Sequence, residues 1–248
     1  MAKGDAYTIG FAAVVCVACS LLLSGTSALL KQRQDAMVEL DRKRNVLKAF
    51  GEPVTDETGR PRSAAEVDRV FAGHIREIIL DGETGNVLEG LSSRDVPREE
   101  LEKKQKLPLY RWEENGRVTR TAFPISGKGL WSTIYGYMAL DESLSRILGV
   151  TFYRHGETPG LGGEIATDEF QQRFTGKCVF KDGQLQRIEV VKGAVATRYP
   201  EGNDHAVDGI SGATLTGRGL NQFINQDVER YERYFSRQRA AMVNDHGG

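Results

Sequence analysis

The chain has 248 residues, 40% hydrophobic and 27% charged, with 33 basic and 34 acidic side chains and a net charge of −1. That length suits one or two domains with a sizeable core. The balanced charge, with no basic face or tail, argues against a nucleic-acid partner. With Cys16 and Cys19 inside one apolar stretch and Cys178 alone in the remainder, no disulfide framework is available.

From Thr8 to Leu30 no residue is charged. A run of about 23 residues suffices to cross a hydrocarbon core of roughly 30 Å. The run is long for a cleaved signal peptide, Lys3 before it is offset by Asp5, and Lys31 and Arg33 follow at once, so a retained membrane anchor is expected. Ser24, Gly25 and Ser27 are small enough for close helix–helix approach within a membrane complex. The Cys16–Cys19 spacing invites a metal or redox reading; small thiols packing in lipid is the plainer account. Lys31, Arg33, Arg42, Lys43 and Arg44 after the span would place the following domain in the cytoplasm by simple charge count. That rule weakens for long domains.

Met37, Leu40, Leu47 and Phe50 recur at near-helical spacing, and Gly51 suits the end of a helix over 32–50. Pro53 and Pro61 mark a loop after it. Strands are expected at 74–80, ending on the Asp81-Gly82 turn, and at 117–124. Further strands are expected late in 127–140 and over 146–153, with a short helix from Thr167 or Asp168 to Phe174. A hairpin is expected across Asp182-Gly183, with Leu185–Val191 as its second arm. Leu220, Phe223, Ile224, Val228, Tyr231 and Phe235 mark an amphipathic C-terminal helix. The expected fold is α+β: a single transmembrane anchor (1–31), a helical stalk and linker (32–62), and a soluble mixed α/β domain (63–248).

Two glycine-rich stretches stand out. His155–Glu164, HGETPGLGGE, cannot be a helix or central strand; it is either a surface turn or a binding loop whose glycines let backbone amides approach a bound group. Asp208–Thr216, DGISGATLT, precedes the C-terminal helix, where free amides and the helix dipole favour an anion. Ser211, Thr214 and Thr216 could equally be helix caps. Neither stretch is a GxxxxGK[ST] or GxGxxG loop, GISGA is not GxSxG, and the four histidines lack metal-ligand spacing.

The motif DGISGAT resembles the flavinylation motif of the FMN-binding domain family, whose last Thr accepts FMN through a phosphoester bond. HGETPGLGGE together with GLWSTIYGY resembles the C subunits of sodium-translocating NADH:quinone oxidoreductases, and so does the order of parts. The G subunits of Rnf-type ferredoxin:NAD oxidoreductases share the domain and are the alternative; a non-catalytic membrane-anchored assembly protein is another. The resemblance implies covalent FMN on Thr214, with Asp208, Ser211, Gly212 and Ala213 recognised by an FMN transferase. It implies flavin contacts from Leu130, Trp131, Glu157, Thr158, Gly160, Leu161 and Lys192. It further implies a single-pass protein of a bacterial inner membrane with a periplasmic flavin domain. Such a chain would relay electrons among the other subunits of a redox complex and turn nothing over alone.

Overall fold

The computed structural model describes residues 3–245; the two residues that begin the expected anchor and the three that end the expected soluble domain lie outside them. The chain divides into two compact units, Met1–Arg42 and Lys43–Gly248. The first consists of most of helix α1 (Lys3–Ala49). A window of this helix reaches a mean hydropathy of 2.1 with none of it buried. Among the described residues it is the one helix long and apolar enough to cross a membrane. Both of its threonine hydroxyls bond back along the helix, Thr8 Oγ1 donating to Gly4 O (2.9 Å) and Thr26 Oγ1 to Leu22 O (2.8 Å). Such internal satisfaction is what a hydrocarbon environment demands.

In the second unit, Val46, Leu47 and Ala49 of the last turns of α1 are buried, and so is Phe50 just after it. Gly51 (φ +83°) ends the helix as expected, with Glu52 N donating back to Leu47 O. Helix α2 (Ala64–His74) follows, opened by a capping box in which Ser63 and Glu66 bond each other's backbone.

Next come strands β1 (Ile75–Asp81), β2 (Val87–Leu88), the short helix α3 (Arg98–Glu102), β3 (Lys106–Glu114), β4 (Arg117–Lys128), β5 (Thr133–Asp141) and β6 (Ile147–Arg154). All six strands form one antiparallel sheet in the order β2-β1-β3-β4-β5-β6. A 3-10 turn (Gly162–Ala166) and α4 (Asp168–Gln172), capped by the Thr167 hydroxyl, come after β6. The remaining elements are β7 (Phe180–Lys181), β8 (Gln184–Leu185), β9 (Glu189–Val190), α5 (Val195–Arg198), β10 (Ala206–Val207) and α6 (Thr214–Asp245).

One face of the sheet is covered by α6. Leu220, Phe223, Ile224, Val228, Tyr231 and Phe235 pack with Leu109, Phe123, Ile125, Ile134 and Met138 in a single core. Buried Asp227 fastens the same helix, taking Lys104, Arg230 Nη1 (2.8 Å) and the Ser126 amide (2.8 Å). Burial pushes this carboxyl up, against the pull of Lys104. On the opposite face Phe50 stands edge-on to Trp112 (5.5 Å) and Phe71 to Tyr110 (6.3 Å), so within the second unit helix α2 and the segment at Phe50 form a third layer.

Two expectations need correction. Helix α2 and strand β3 stand where the sequence pattern points to no element. In β3, Pro108 argues against a central strand, but pairing with β4 begins only at Tyr110, so that ladder asks no donor of the proline. The expected hairpin is also shorter. Only Gln184–Leu185 pairs back onto Phe180–Lys181, whereas Glu189–Val190 pairs in parallel with Ala206–Val207. The Asn221 and Asn225 side chains of α6 claim the Val190 and Ile188 backbones and draw that segment away.

The seat of α6 depends on two glycines. A Cβ on Gly127 would lie 2.2 Å from Phe223 Cβ, and one on Gly219 would lie 2.4 Å from Lys128 O. Gly127→Ala is expected to lower stability by about 1–3 kcal/mol, as overpacking does. Urea denaturation of the full chain in detergent checks this, and an unchanged midpoint would disprove so close a seat.

Candidate functional site

Three loops meet at the N-terminal end of α6: residues 129–132 between β4 and β5, 155–163 after β6, and 208–216 leading into the helix. The first closes on itself through Gly129 N donating to Ser132 O (2.8 Å). The next three amides, of Leu130 (3.2 Å), Trp131 (3.0 Å) and Ser132 (3.4 Å), all point at the carboxylate of Glu157. Thr216 donates its hydroxyl to the same carboxylate at 2.7 Å. The Gly156 amide in turn donates to Ser132 Oγ (2.6 Å). One buried carboxylate, only 5% exposed, therefore ties one residue of α6 to both glycine loops.

Burial alone would raise the Glu157 carboxyl; the Thr216 hydroxyl and the three amides outweigh it and hold the group below its ordinary value. The glycines beside it are required by space. A Cβ on Gly129 would sit 2.6 Å from Glu157 Oε1, and one on Gly162 would sit 2.5 Å from Thr216 Oγ1. Glu157, expected to touch a flavin, thus has its carboxylate committed inside the protein. Its work is to hold the GLWS turn.

The rest of the second loop faces outward. Thr158, Gly160 (φ +74°) and Leu161 are exposed, with Thr158 O taking the amides of Leu161 (3.2 Å) and Gly163 (2.9 Å). Leu161 lies over the third loop, its Cδ2 only 2.8 Å from where a Cβ on Gly212 would stand. Gly212 itself has φ +73°, which favours glycine.

The third loop is held by its backbone. Gly209 N donates to Gly193 O (2.8 Å), and a Cβ on Gly209 would be 2.0 Å from Val191 O. The Asp208 carboxylate accepts from Val195 N at 2.6 Å. Arg173 donates to the carbonyls of Asp208 (3.4 Å) and Gly209 (3.2 Å). Ala213 takes the first helical bond, from Gly217 N (2.9 Å), and has no side-chain oxygen to cap the amides that follow.

Those amides open a 32-residue helix, whose positive dipole end and unsatisfied donors form an anion site. Thr214 is its first residue, half-buried, and among the described residues nothing hydrogen-bonds its hydroxyl. Ser211 is exposed and Ala213 buried. Around this point stand four apolar side chains with much of their surface in water: Leu130 (39%), Trp131 (65%), Leu161 (45%) and Leu215 (52%). A free hydroxyl, unsatisfied amides and an apolar rim fit a flavin phosphate with its ring system.

The structure thus gathers Leu130, Trp131, Thr158, Gly160, Leu161, Gly212 and Thr214 about one helix end. Lys192 is exposed, two residues before Ala194 on the turn that Asp208 fastens. Thr216, Leu215 and Ser132 join the site from within the quoted stretches without having been expected to contact the flavin, and Arg173 joins it from outside them. Helical spacing two residues beyond Thr214, which turns a side chain to the opposite side, is the signal that singles out Thr216. His155 accepts from Glu157 N (3.2 Å), and no group of three metal-ligating side chains occurs among the described residues.

Residues 129–229 match the family model described as an FMN-binding domain. Over 233 residues the chain is 33% identical to the C subunit of the Na(+)-translocating NADH-quinone reductase of Yersinia pestis, covering 86% of this chain and 84% of that one. It is 30% identical to the same protein of Vibrio alginolyticus, covering 86% of each. The crystal structure of Shewanella oneidensis NqrC superposes with a TM-score of 0.65 at 28% identity, over 81% of this chain and 97% of that one. The corresponding protein of Parabacteroides distasonis has the same fold, with a TM-score of 0.68 at 24% identity over 83% of this chain and 96% of that one. The chain belongs to the family of C subunits of Na(+)-translocating NADH-quinone reductases.

Because the folded Glu157 carboxyl lies below the ordinary value of 4.5, its contribution is complete above that pH and is lost as pH falls through the folded value. Glu157→Gln is expected to cost about 1–3 kcal/mol at neutral pH. The gap from wild type should close as melts are run at successively lower pH below 4.5; a gap independent of pH would disprove the role.

Proposed function

We propose that this chain carries FMN covalently, through a phosphoester to Thr214 Oγ1, and relays electrons within a sodium-translocating NADH:quinone oxidoreductase. The observation that carries the reading is the contrast between two threonines two residues apart. Thr216 is buried with its hydroxyl donated to Glu157, whereas the Thr214 hydroxyl is unengaged at the open helix end. That contrast favours Thr214 as the threonine open to esterification.

FMN would supply reversible reduction, while this chain's residues bind, orient and exclude water. The amides of the first turn of α6 would hold the phosphate. Leu130, Trp131, Leu161 and Leu215 would cover part of the ring system. Esterifying an alcohol with a phosphate monoester is uphill in water, so the FMN transferase must use an activated donor. The Thr214 Oγ–P bond forms as the donor's phosphoanhydride bond breaks, and the hydroxyl proton leaves with the displaced phosphate.

Helix α1 would anchor the chain in a bacterial inner membrane as a single pass, with the flavin domain in the periplasm. The basic residues after the span do not oppose this, since long domains cross largely regardless of charge. The other subunits would supply the electron donor and acceptor, and the chain alone would turn nothing over.

Thr214→Val, produced alongside an FMN transferase in an exporting host, should lose flavin fluorescence under denaturing electrophoresis. Mass spectrometry of the wild-type tryptic peptide should place the FMN increment on Thr214. Label persisting in the valine variant, or found on Thr216, would overturn the assignment.

A further inference from the structure

Residues 208–213 join β10 to α6 and belong to neither, so the loop that leads into Thr214 owes its shape to individual bonds. Its second half is a tight turn. Ala213 N donates to Ile210 O (3.1 Å), and Gly212 (φ +73°) stands at the third position, where a type II turn needs a left-handed residue. In the first half, two peptide planes are held in different ways. The plane between Asp208 and Gly209 is held at both edges, with Gly209 N donating to Gly193 O (2.8 Å) and Asp208 O accepting from Arg173 Nη1 (3.4 Å). The plane between Gly209 and Ile210 is held at one edge: Gly209 O accepts from Arg173 Nη1 (3.2 Å), and among the described residues Ile210 N donates to nothing.

In a trans peptide the N–H points away from its C=O. Arg173 therefore turns the Ile210 N–H to the side away from itself. The amides of Ser211 and Gly212, and those of Thr214, Leu215 and Thr216 in the first turn of α6, likewise have no acceptor among the described residues. A run of free backbone N–H groups before a helix makes an anion-binding concavity. The peptide after a glycine rotates easily, and a rotated Gly209–Ile210 plane would put a carbonyl oxygen where the N–H now stands.

Arg173 is suited to prevent that. It caps the C-terminal end of α4, its guanidinium lies over the Phe170 ring (5.5 Å), and its Nη2 donates to Glu169 (2.6 Å). Ring and carboxylate orient the planar fork, which leaves Nη1 facing the loop; a lysine would offer a point charge without that orientation. Glu169 is largely exposed, so its ion pair aims the fork and adds little stability itself.

We propose, resting on Thr214 as the attachment residue, that Arg173 is a positioning residue for the FMN phosphate: it fixes the Gly209–Ile210 peptide so that the N–H, and not the carbonyl oxygen, is offered to the phosphodiester at Thr214. It acts through the backbone and touches no flavin atom in this role.

The test uses the full chain in detergent, with amide hydrogen exchange measured before and after flavinylation. In Arg173→Gln, exchange at the Gly209 and Ala213 amides should quicken by about tenfold, the scale of one hydrogen bond from a charged donor, while Met138 and Leu140 in β5 keep their rates. In the flavinylated protein the phosphodiester 31P resonance should move in Arg173→Gln and come part of the way back in Arg173→Lys. Unchanged exchange overturns the proposal, and so does a quickening shared by Met138 and Leu140, which would make Arg173 a general stabiliser. Faster loop exchange without a 31P change would make it a holder of the loop alone and equally overturn it. Should Arg173→Gln not fold, Arg173→Lys carries the test: smaller changes of the same kind are expected, and wild-type values would overturn the proposal. An unlabelled wild type, or label on Thr214→Val, would instead sink the attachment reading, whereas the exchange result needs no flavin and reports on the latch separately.

Discussion

The site depends on one buried carboxylate. Glu157 receives four hydrogen bonds, three from consecutive amides of the GLWS turn and one from Thr216 on α6. A carboxylate withdrawn from water needs such compensation, and here the compensating donors come from two segments distant from its own loop. Stabilising the charge and bringing the loops together are therefore the same act. Without it, Gly129 and Gly162 would have no reason to lie so close to their neighbours, and Trp131 and Leu161 would have no fixed relation to Thr214.

The sheet supplies the rest of the geometry. Its α6 face is a continuous apolar core, with Asp227 as a buried ionic fastening near its middle. Buried ion pairs are poor sources of stability, but removing one partner is costly, so such a fastening fixes where the helix sits. Gly127 and Gly219 set how near it sits. The N-terminal end of α6 thereby arrives beside the GLWS turn in one position only.

Much of this architecture is legible from residues alone. Strands β1, β4, β5 and β6 follow from apolar and β-branched runs bounded by turn residues, and both long helices follow from apolar continuity or 3.6-residue periodicity. Strand β3 is hidden by Pro108, whose cost disappears only once the pairing register is known. Helix α2 carries a capping-box signal at Ser63 and Glu66, but is too short for periodicity to support it. The glycine loops are legible as places where backbone must approach something. What they approach is not, because the decisive bond joins residues 59 apart in sequence. Nothing in the sequence shows that the Glu157 carboxylate binds Thr216 and the GLWS amides.

The apolar rim has a consequence for binding. Leu130, Trp131, Leu161 and Leu215 stand at the surface with 39–65% of their area in water, so they make a shallow platform and not an enclosing cleft. Such a platform alone would hold a freely diffusing cofactor weakly. If FMN is esterified to Thr214 as proposed, docking of the ring becomes an intramolecular event at an effective concentration of order millimolar or more. Weak intrinsic affinity then suffices for high occupancy, and one edge of the ring can stay uncovered for electron exchange without the cofactor being lost.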